Sequence, residues 1–376
     1  MRNLIKHINL EGDKIIWGVV FVLSLFSLLV VYSTAGWGFL FKHAFKIILG
    51  LLSMYIVHKI KFKYFSKLGQ LGYFLSLILL LLIFIIGISV NGASRWLTIA
   101  GLQFQPSDVA KLAVILYLAR QLSKQRDILG SFKNFVWYIL APLLMICLLI
   151  LPNNFSTSAL IFLNGVILMF IAKVRLQFIF GILIAGCMTA ISIYMIAKYT
   201  DVGANIMPRS ITWVSRVDGF LFDQENDLQT KDFQQTQALV AIQNGGVNGV
   251  GPGKSIQRSI LPYSSSDFIY AIIIEEYGVI GAIGVILSYL ILLFRAIRIS
   301  FRTVSMFGSL VTLGLIFSLV VQALINMLVS VSVLPVTGQT LPLISMGGTS
   351  IVFTCISVGI VLSISRDATD RIYNEA

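Results

Sequence analysis

The chain has 376 residues, 57% hydrophobic and only 12% charged, with a formal net charge of +12. A soluble domain carries about twice that charged fraction. Apolar runs of about 18 residues or more recur from end to end, which excludes a water-soluble fold and a barrel of short alternating strands and indicates a polytopic helical membrane protein. The excess positive charge is distributed as membrane topology requires, so nucleic acid is not an expected partner.

Ten spans are predicted in chain order, near 14–33, 43–60, 70–90, 106–122, 136–152, 155–173, 175–198, 267–294, 306–333 and 347–364. The expected fold is all-α, with ten transmembrane helices in one integral-membrane domain over residues 1–376. Ile15 to Tyr32 is long enough to span and reads as a first helix rather than a cleaved presequence. With the N-terminus inside, 18 of the 28 Lys and Arg fall on inner segments, in groups led by Lys14, Lys59, Arg120, Lys173, Arg295 and Arg366. Nine fall outside, six of them in or beside one long loop whose charge does little to set orientation. Both termini are therefore expected in the cytoplasm. Cys147, Cys187 and Cys355 lie inside apolar runs, and His7, His43 and His58 are scattered, so neither residue type forms a metal-ligand cluster.

The long outer loop, about residues 199–266 between the seventh and eighth spans, is not of low complexity. Its segment SITWVSRVDGFLF (210–222) could lie on the membrane surface. Asp232 could cap a short helix, FQQTQALVAIQN, stopped by Gly245 and Gly246. Gly249, Gly251 and Gly253 follow. The string GPGKS invites a phosphate-loop reading, but the position five before Gly253 is Asn248 and no strand precedes it. A tightly turning backbone near a ligand, or a plain surface loop, is the better reading.

Polar residues then gather in the outer half. Asp267 stands at the mouth of the eighth span, where a helix dipole favours an ionised acid, as a base or only as a cap. Glu275 and Glu276 follow about 12–14 Å along that helix. Asp108 and Lys111 lie in the first turns of the fourth span, behind Pro106. Gln322 and Asn326 lie in the outer half of the ninth, and Arg95 sits at the outer surface. Buried charges need partners, and an ion pair of Lys111 with one of the glutamates is expected, either structural or lining a cavity for a lipid with a polar head.

Three blocks carry a specific resemblance: GASRWLTIAGLQFQPSDVAK (92–111), SDFIYAIIIEEYG (266–278) and PVTGQTLPLISMGGTS (335–350). In order, spacing and placement they resemble the SEDS family (shape, elongation, division and sporulation), whose branches include FtsW and RodA. The opening GDKIIW and VYSTA look more like the division branch. The resemblance implies a peptidoglycan glycosyltransferase of the bacterial inner membrane that polymerises lipid II at the division septum, alongside a class B penicillin-binding transpeptidase and other division proteins. It implies Asp267 as the catalytic base, and Arg95 and Lys111 as substrate-binding residues. Glu275, Glu276, Asn326 and Ser345 join that set as expectations. A divalent cation, magnesium or manganese, would suit the pyrophosphate, although no ligand cluster demonstrates one. The segment LPNNFST has Asn153 and Asn154 where such families carry a carboxylate, and SMGGT has Met346 where they carry Tyr. A lipid II flippase and a non-catalytic division scaffold are the alternatives.

Overall fold

The computed structural model describes residues 10–90, 93–99, 102–199, 209–221 and 233–375. Each expected span coincides with a helix: α1 (Lys14–Ala35), α2 (Trp37–Lys59), α3 (Phe65–Ile86), α4 (Pro106–Lys124), α5 (Phe132–Ile150, with a π-helical turn at Val136–Leu140), α6 (Phe155–Ile171) and α7 (Leu176–Tyr199). Two short helices follow, α8 (Ser210–Leu221) and α9 (Phe233–Gly245). Then come α10 (Ile269–Arg302), α11 (Met306–Ser330) and α12 (Ser350–Glu375). Among the described residues, eight of these are long and apolar enough to cross a membrane. The other two expected spans are α6, with 17 residues, and α4, whose 19 residues include Asp108, Lys111, Arg120 and Lys124.

Local chemistry sets the boundaries. The Asp13 carboxylate accepts the N–H groups of Ile15 and Ile16 and opens α1, and Gly36 closes it at φ 75°. Asn154 accepts from Thr157 N at 3.2 Å and opens α6. Phe41, Ile85, Trp137 and Phe180 are among many large apolar side chains left exposed, as a lipid-facing surface requires. The interior is built around α11, which packs against α10, α4, α12 and α6. Helix α7 stands apart, burying only Ile179 and Ile182.

Three features depart from expectation. First, the third span ends at Ile86, and the chain then forms a small antiparallel sheet, β1 (Ile88–Val90), β2 (Ala93–Ile99) and β3 (Leu102–Phe104). Leu97 pairs with Phe104 and Thr98 with Gln103. Second, α10 breaks at Gly278, at φ 66° and ψ −170°. The portion after the break, residues 279–302, rises about 36 Å, enough to cross a hydrocarbon core of about 30 Å by itself. The half-helix before it, which carries Glu275 and Glu276, is therefore an addition at one end of the span, and the expectation that these acids lie deep in a continuous membrane helix is corrected.

Third, the segment between α11 and α12 folds back among the helices. Tyr289, fully buried on α10, donates its hydroxyl to Pro342 O, and Ser27 on α1 donates to Ile344 O at 2.6 Å. Gln322 Nε2 donates to Thr340 O at 2.9 Å. Irregular backbone at this depth is tolerated because the surrounding helices satisfy its carbonyls.

Candidate active site

Asp267 lies two residues before α10. The residue that caps the helix is Phe268, with no side-chain capping bond, so the helix-cap reading of Asp267 is overturned. Its backbone is fixed from two other segments. Asn326 Nδ2 on α11 donates to Asp267 O at 2.7 Å, Ser345 Oγ donates to Ser266 O at 2.6 Å, and Met346 N donates to Ser265 O at 2.8 Å. Three consecutive carbonyls are thus gripped from outside, and the side chain of Asp267 is left to project into the space beside Gly338. A Cβ built at Gly338 would stand 3.6 Å from Asp267 Oδ2, so the carboxylate keeps close company with bare backbone there.

The surrounding charge is positive. Arg95 projects from β2 and donates Nε to Asn153 O at 2.8 Å. Arg216 projects from α8 and donates Nη1 to Val336 O at 3.0 Å. Burial pushes the Asp267 carboxyl above the usual carboxylate range, while a hydrogen bond from Ser266 and the guanidinium groups of Arg216 and Arg95 pull it back. Burial, with Arg209 and Arg216 nearby, lowers Arg95 to about 10. Three arginines and one carboxylate therefore share a partly buried space, and among the described residues none of the three arginines is in a salt bridge. Such an arrangement can hold an anion. Among the described residues, no three His, Cys, Asp or Glu side chains group as metal ligands.

Lys111 occupies a separate chamber. The expected ion pair with a glutamate is not formed. Lys111 Nζ donates to Gln322 Oε1 at 2.6 Å, and Asp108 supplies the neighbouring negative charge. The two line a small cavity of about 40 Å³ with Ser318, Pro342 and Ser350, room for a few waters. The amide accepts directly from the ammonium, and the charge beside it is Asp108 of the same helix rather than a glutamate of α10. The chamber is joined to Asp267 by hydrogen bonds: Lys111 to Gln322, Gln322 to Thr340 O, and Asn326 to both Gln339 O and Asp267 O.

Glu275 and Glu276 are buried and taken up by the chain itself. Glu275 accepts from the Ser255 hydroxyl, from Ile256 N at 3.2 Å and from Gln257 N at 3.3 Å. Glu276 accepts from the Ser33 hydroxyl, and Arg258 Nη1 donates to Ser33 O at 2.8 Å. Their carbonyls accept from Val250 N and Gly251 N. The glycine run turns tightly, as expected, with Gly246, Gly249, Gly251 and Gly253 at positive φ, and Gly245 and Gly249 press on the backbone of the half-helix of α10. Asp232, the expected cap of α9, lies outside the described residues, as do Asp201, Asp223, Glu225 and Asp227; Asp218 is described and pairs with Lys198 at 2.9 Å.

Arg216 was not singled out by the sequence, being about 50 positions from Asp267 in a loop of mixed character. A legible signal for the framework does exist. Ser318, Gln322, Asn326 and Ser330 recur every four residues on α11 and form one polar stripe in an apolar helix.

The family model described as cell cycle protein, for FtsW, RodA and SpoVE, matches residues 10–370. The probable peptidoglycan glycosyltransferase FtsW of Legionella pneumophila is 32% identical over 389 residues, covering 96% of this chain and 95% of that protein. Its counterpart from Geobacter metallireducens is 31% identical, covering 96% and 98%. In fold, a chain of a peptidoglycan synthase complex that coordinates polymerization and crosslinking superposes with a TM-score of 0.78 at 24% identity, over 95% of this chain and 98% of that one. The rod shape determining protein RodA of Thermus thermophilus gives 0.68 at 22%, over 95% and 97%. With the family match running almost from end to end, this multi-pass membrane protein belongs to the SEDS family of FtsW, RodA and SpoVE proteins, on its FtsW side.

Proposed function

We infer that this chain is a peptidoglycan glycosyltransferase of the FtsW type that polymerises lipid II, with Asp267 as general base. The relatives' activity carries the reaction class. The observation that supports the site is the convergence of Arg216 and Arg95 on one raised carboxyl, with Arg209 beside the two arginines. In the reaction, the oxygen of the acceptor GlcNAc 4-hydroxyl bonds to the donor MurNAc anomeric carbon. The bond from that carbon to the pyrophosphate oxygen breaks, and the polyprenyl pyrophosphate leaves with the electron pair. Asp267 takes the hydroxyl proton. The arginines hold the pyrophosphate and stabilise the charge it gains. Attack opposite the leaving group inverts the anomeric centre, and a single carboxylate suffices because pyrophosphate departs without a general acid, unlike the sugar leaving group of a glycosidase.

In this reading Asn326 and Ser345 position Asp267, Lys111 supports the returning segment through Gln322, and Glu275 and Glu276 anchor the loop. A class B penicillin-binding transpeptidase is the expected partner, and co-purification tests it. Cytoplasmic termini and septal location rest on the charge map and the family branch, and impermeant labelling of Tyr263→Cys against Ser131→Cys tests the orientation. A flippase would need polar groups through the full depth, whereas the arginine cluster lies on one face.

The test is glycan synthesis by purified protein from labelled lipid II, beside a lipid II binding assay. Asp267→Asn keeps the shape of the side chain, so binding survives and synthesis falls by about 10²–10⁴-fold. Near-normal synthesis by this variant would exclude Asp267 as the base.

A further inference from the structure

At the opposite end of α10 from Asp267, the starts and ends of three helices enclose a recess of about 270 Å³. Its wall is made by Gly12 to Ile15 where α1 begins, by Arg295, Arg298, Ile299 and Arg302 near the end of α10, and by Ser365, Ala368 and Thr369 on α12. The three arginines are spaced i, i+3 and i+7, so one helical face presents them all. Asp13 is the one carboxylate in the lining. It is already used twice, capping α1 and accepting from Arg295 Nε at 2.8 Å. The Asp13–Arg295 pair is therefore a neutral, preformed floor. Among the described residues, Lys14, Arg298 and Arg302 form no salt bridge, and all three are exposed.

We propose that this recess binds the phosphate headgroup of an anionic membrane phospholipid. Three uncompensated cations around a concave site demand an anion, and basic pockets between membrane helices suit phosphodiester heads. Placement argues for a lipid over free phosphate. Phe301 at the end of α10 and Val304 just past it are 87% and 81% exposed, and Ile15 is 46% exposed at the rim. These side chains would lie along acyl chains while the arginines hold the head. The glycosyltransferase site is remote from the recess and takes no part in this binding.

The probe is native mass spectrometry of the full chain from detergent, with equal amounts of phosphatidylglycerol and phosphatidylcholine. Wild-type protein should retain phosphatidylglycerol at least about tenfold over phosphatidylcholine. Arg298→Gln with Arg302→Gln should lose about thirtyfold of that affinity, since each cation at a membrane surface contributes several-fold. Lys14→Gln, on a different helix, should lose about fivefold. Melting temperatures report that these exposed substitutions leave the fold intact. The control is Lys124→Gln with Arg126→Gln, two cations off the recess. Equal loss in the control would mean a general attraction of basic surface for acidic lipid and would overturn the proposal. So would unchanged retention in the recess variants, or displacement of the lipid by millimolar inorganic phosphate, which would make the site one for free phosphate.

Discussion

One amide on α11 governs the geometry around the acid: Asn326 Nδ2 donates at 2.7 Å both to Asp267 O and to Gln339 O. The two carbonyls belong to segments more than 70 positions apart, and this side chain ties them to one point. Asn326→Leu fills the space but strands both acceptors. An unsatisfied buried acceptor costs about 1–3 kcal/mol, so the variant should melt several degrees lower, and glycan synthesis should fall more than lipid II binding does. Equal loss of both would show that Asn326 holds the fold without aligning the base.

The pH dependence of synthesis follows from the charges about Asp267. A general base must be ionised, so activity rises as pH climbs through its pKa. Burial raises that pKa and Arg216 lowers it. Arg216→Gln removes a group that favours the carboxylate, so the acidic limb of the pH–rate profile should move to higher pH, beyond any loss of pyrophosphate affinity. The stability sign is opposite to that of a paired acid. A carboxyl raised on folding carries no penalty below its unfolded pKa of about 3.9 and the full penalty above its folded pKa. Asp267→Asn should therefore melt no lower than wild type at pH 7. A marked loss of stability in that variant would count against the raised carboxyl.

Lys111 and Gln322 act as one unit if the amide exists to satisfy the ammonium. Lys111→Met leaves Gln322 Oε1 unpaired, and Gln322→Leu leaves the ammonium near Asp108 but without its hydrogen-bond acceptor, so each alone should reduce synthesis at least about tenfold. The double variant should be no worse than the harsher single one, with a coupling energy of about 0.5–3 kcal/mol. Strict additivity would mean that the two residues serve separate ends.

Gly278 cannot be replaced where it stands. Its backbone conformation is one that essentially only glycine adopts, and an added Cβ would sit 2.1 Å from Val247 O. Gly278→Ala should cost more than about 3 kcal/mol. Gly284, six residues on in the same helix, has open space around its Cβ position. Gly284→Ala should be neutral or slightly stabilising. Comparable melting temperatures for the two variants would show that the break is not essential.

The helices were legible because lipid-facing sequence is nearly uninterrupted, and the Asp267, Arg95 and Lys111 motifs were legible because each is local. What the sequence concealed was long-range or conformational. The apolar pattern of α10 runs straight through Gly278, so nothing in its period reveals a break imposed by Val247 and Gly249. The hydrogen-bond partner of Lys111 was sought among the glutamates of α10, whereas it is a neutral amide on α11, with Asp108 of the lysine's own helix nearby. Arg216 reaches Asp267 only through the folding of a loop. The small sheet, by contrast, left a readable trace in Asn91-Gly92, a hairpin-turn dipeptide, although the ASRWLTI that follows does not alternate.

The grip on residues 265–267 also dates the site within the life of each molecule. Its donors are Asn326, Ser345 and Met346, which follow in the chain by some 60 to 80 residues. At about 5–20 residues per second, the ribosome delivers them several seconds to a quarter of a minute after Asp267 has been made. A nascent or prematurely ended chain can thus place most of its helices in the bilayer while Asp267 still lacks its fixed position. The grip is complete only once Met346 has been made, and a chain truncated after α10 would be inserted with none of the three donors.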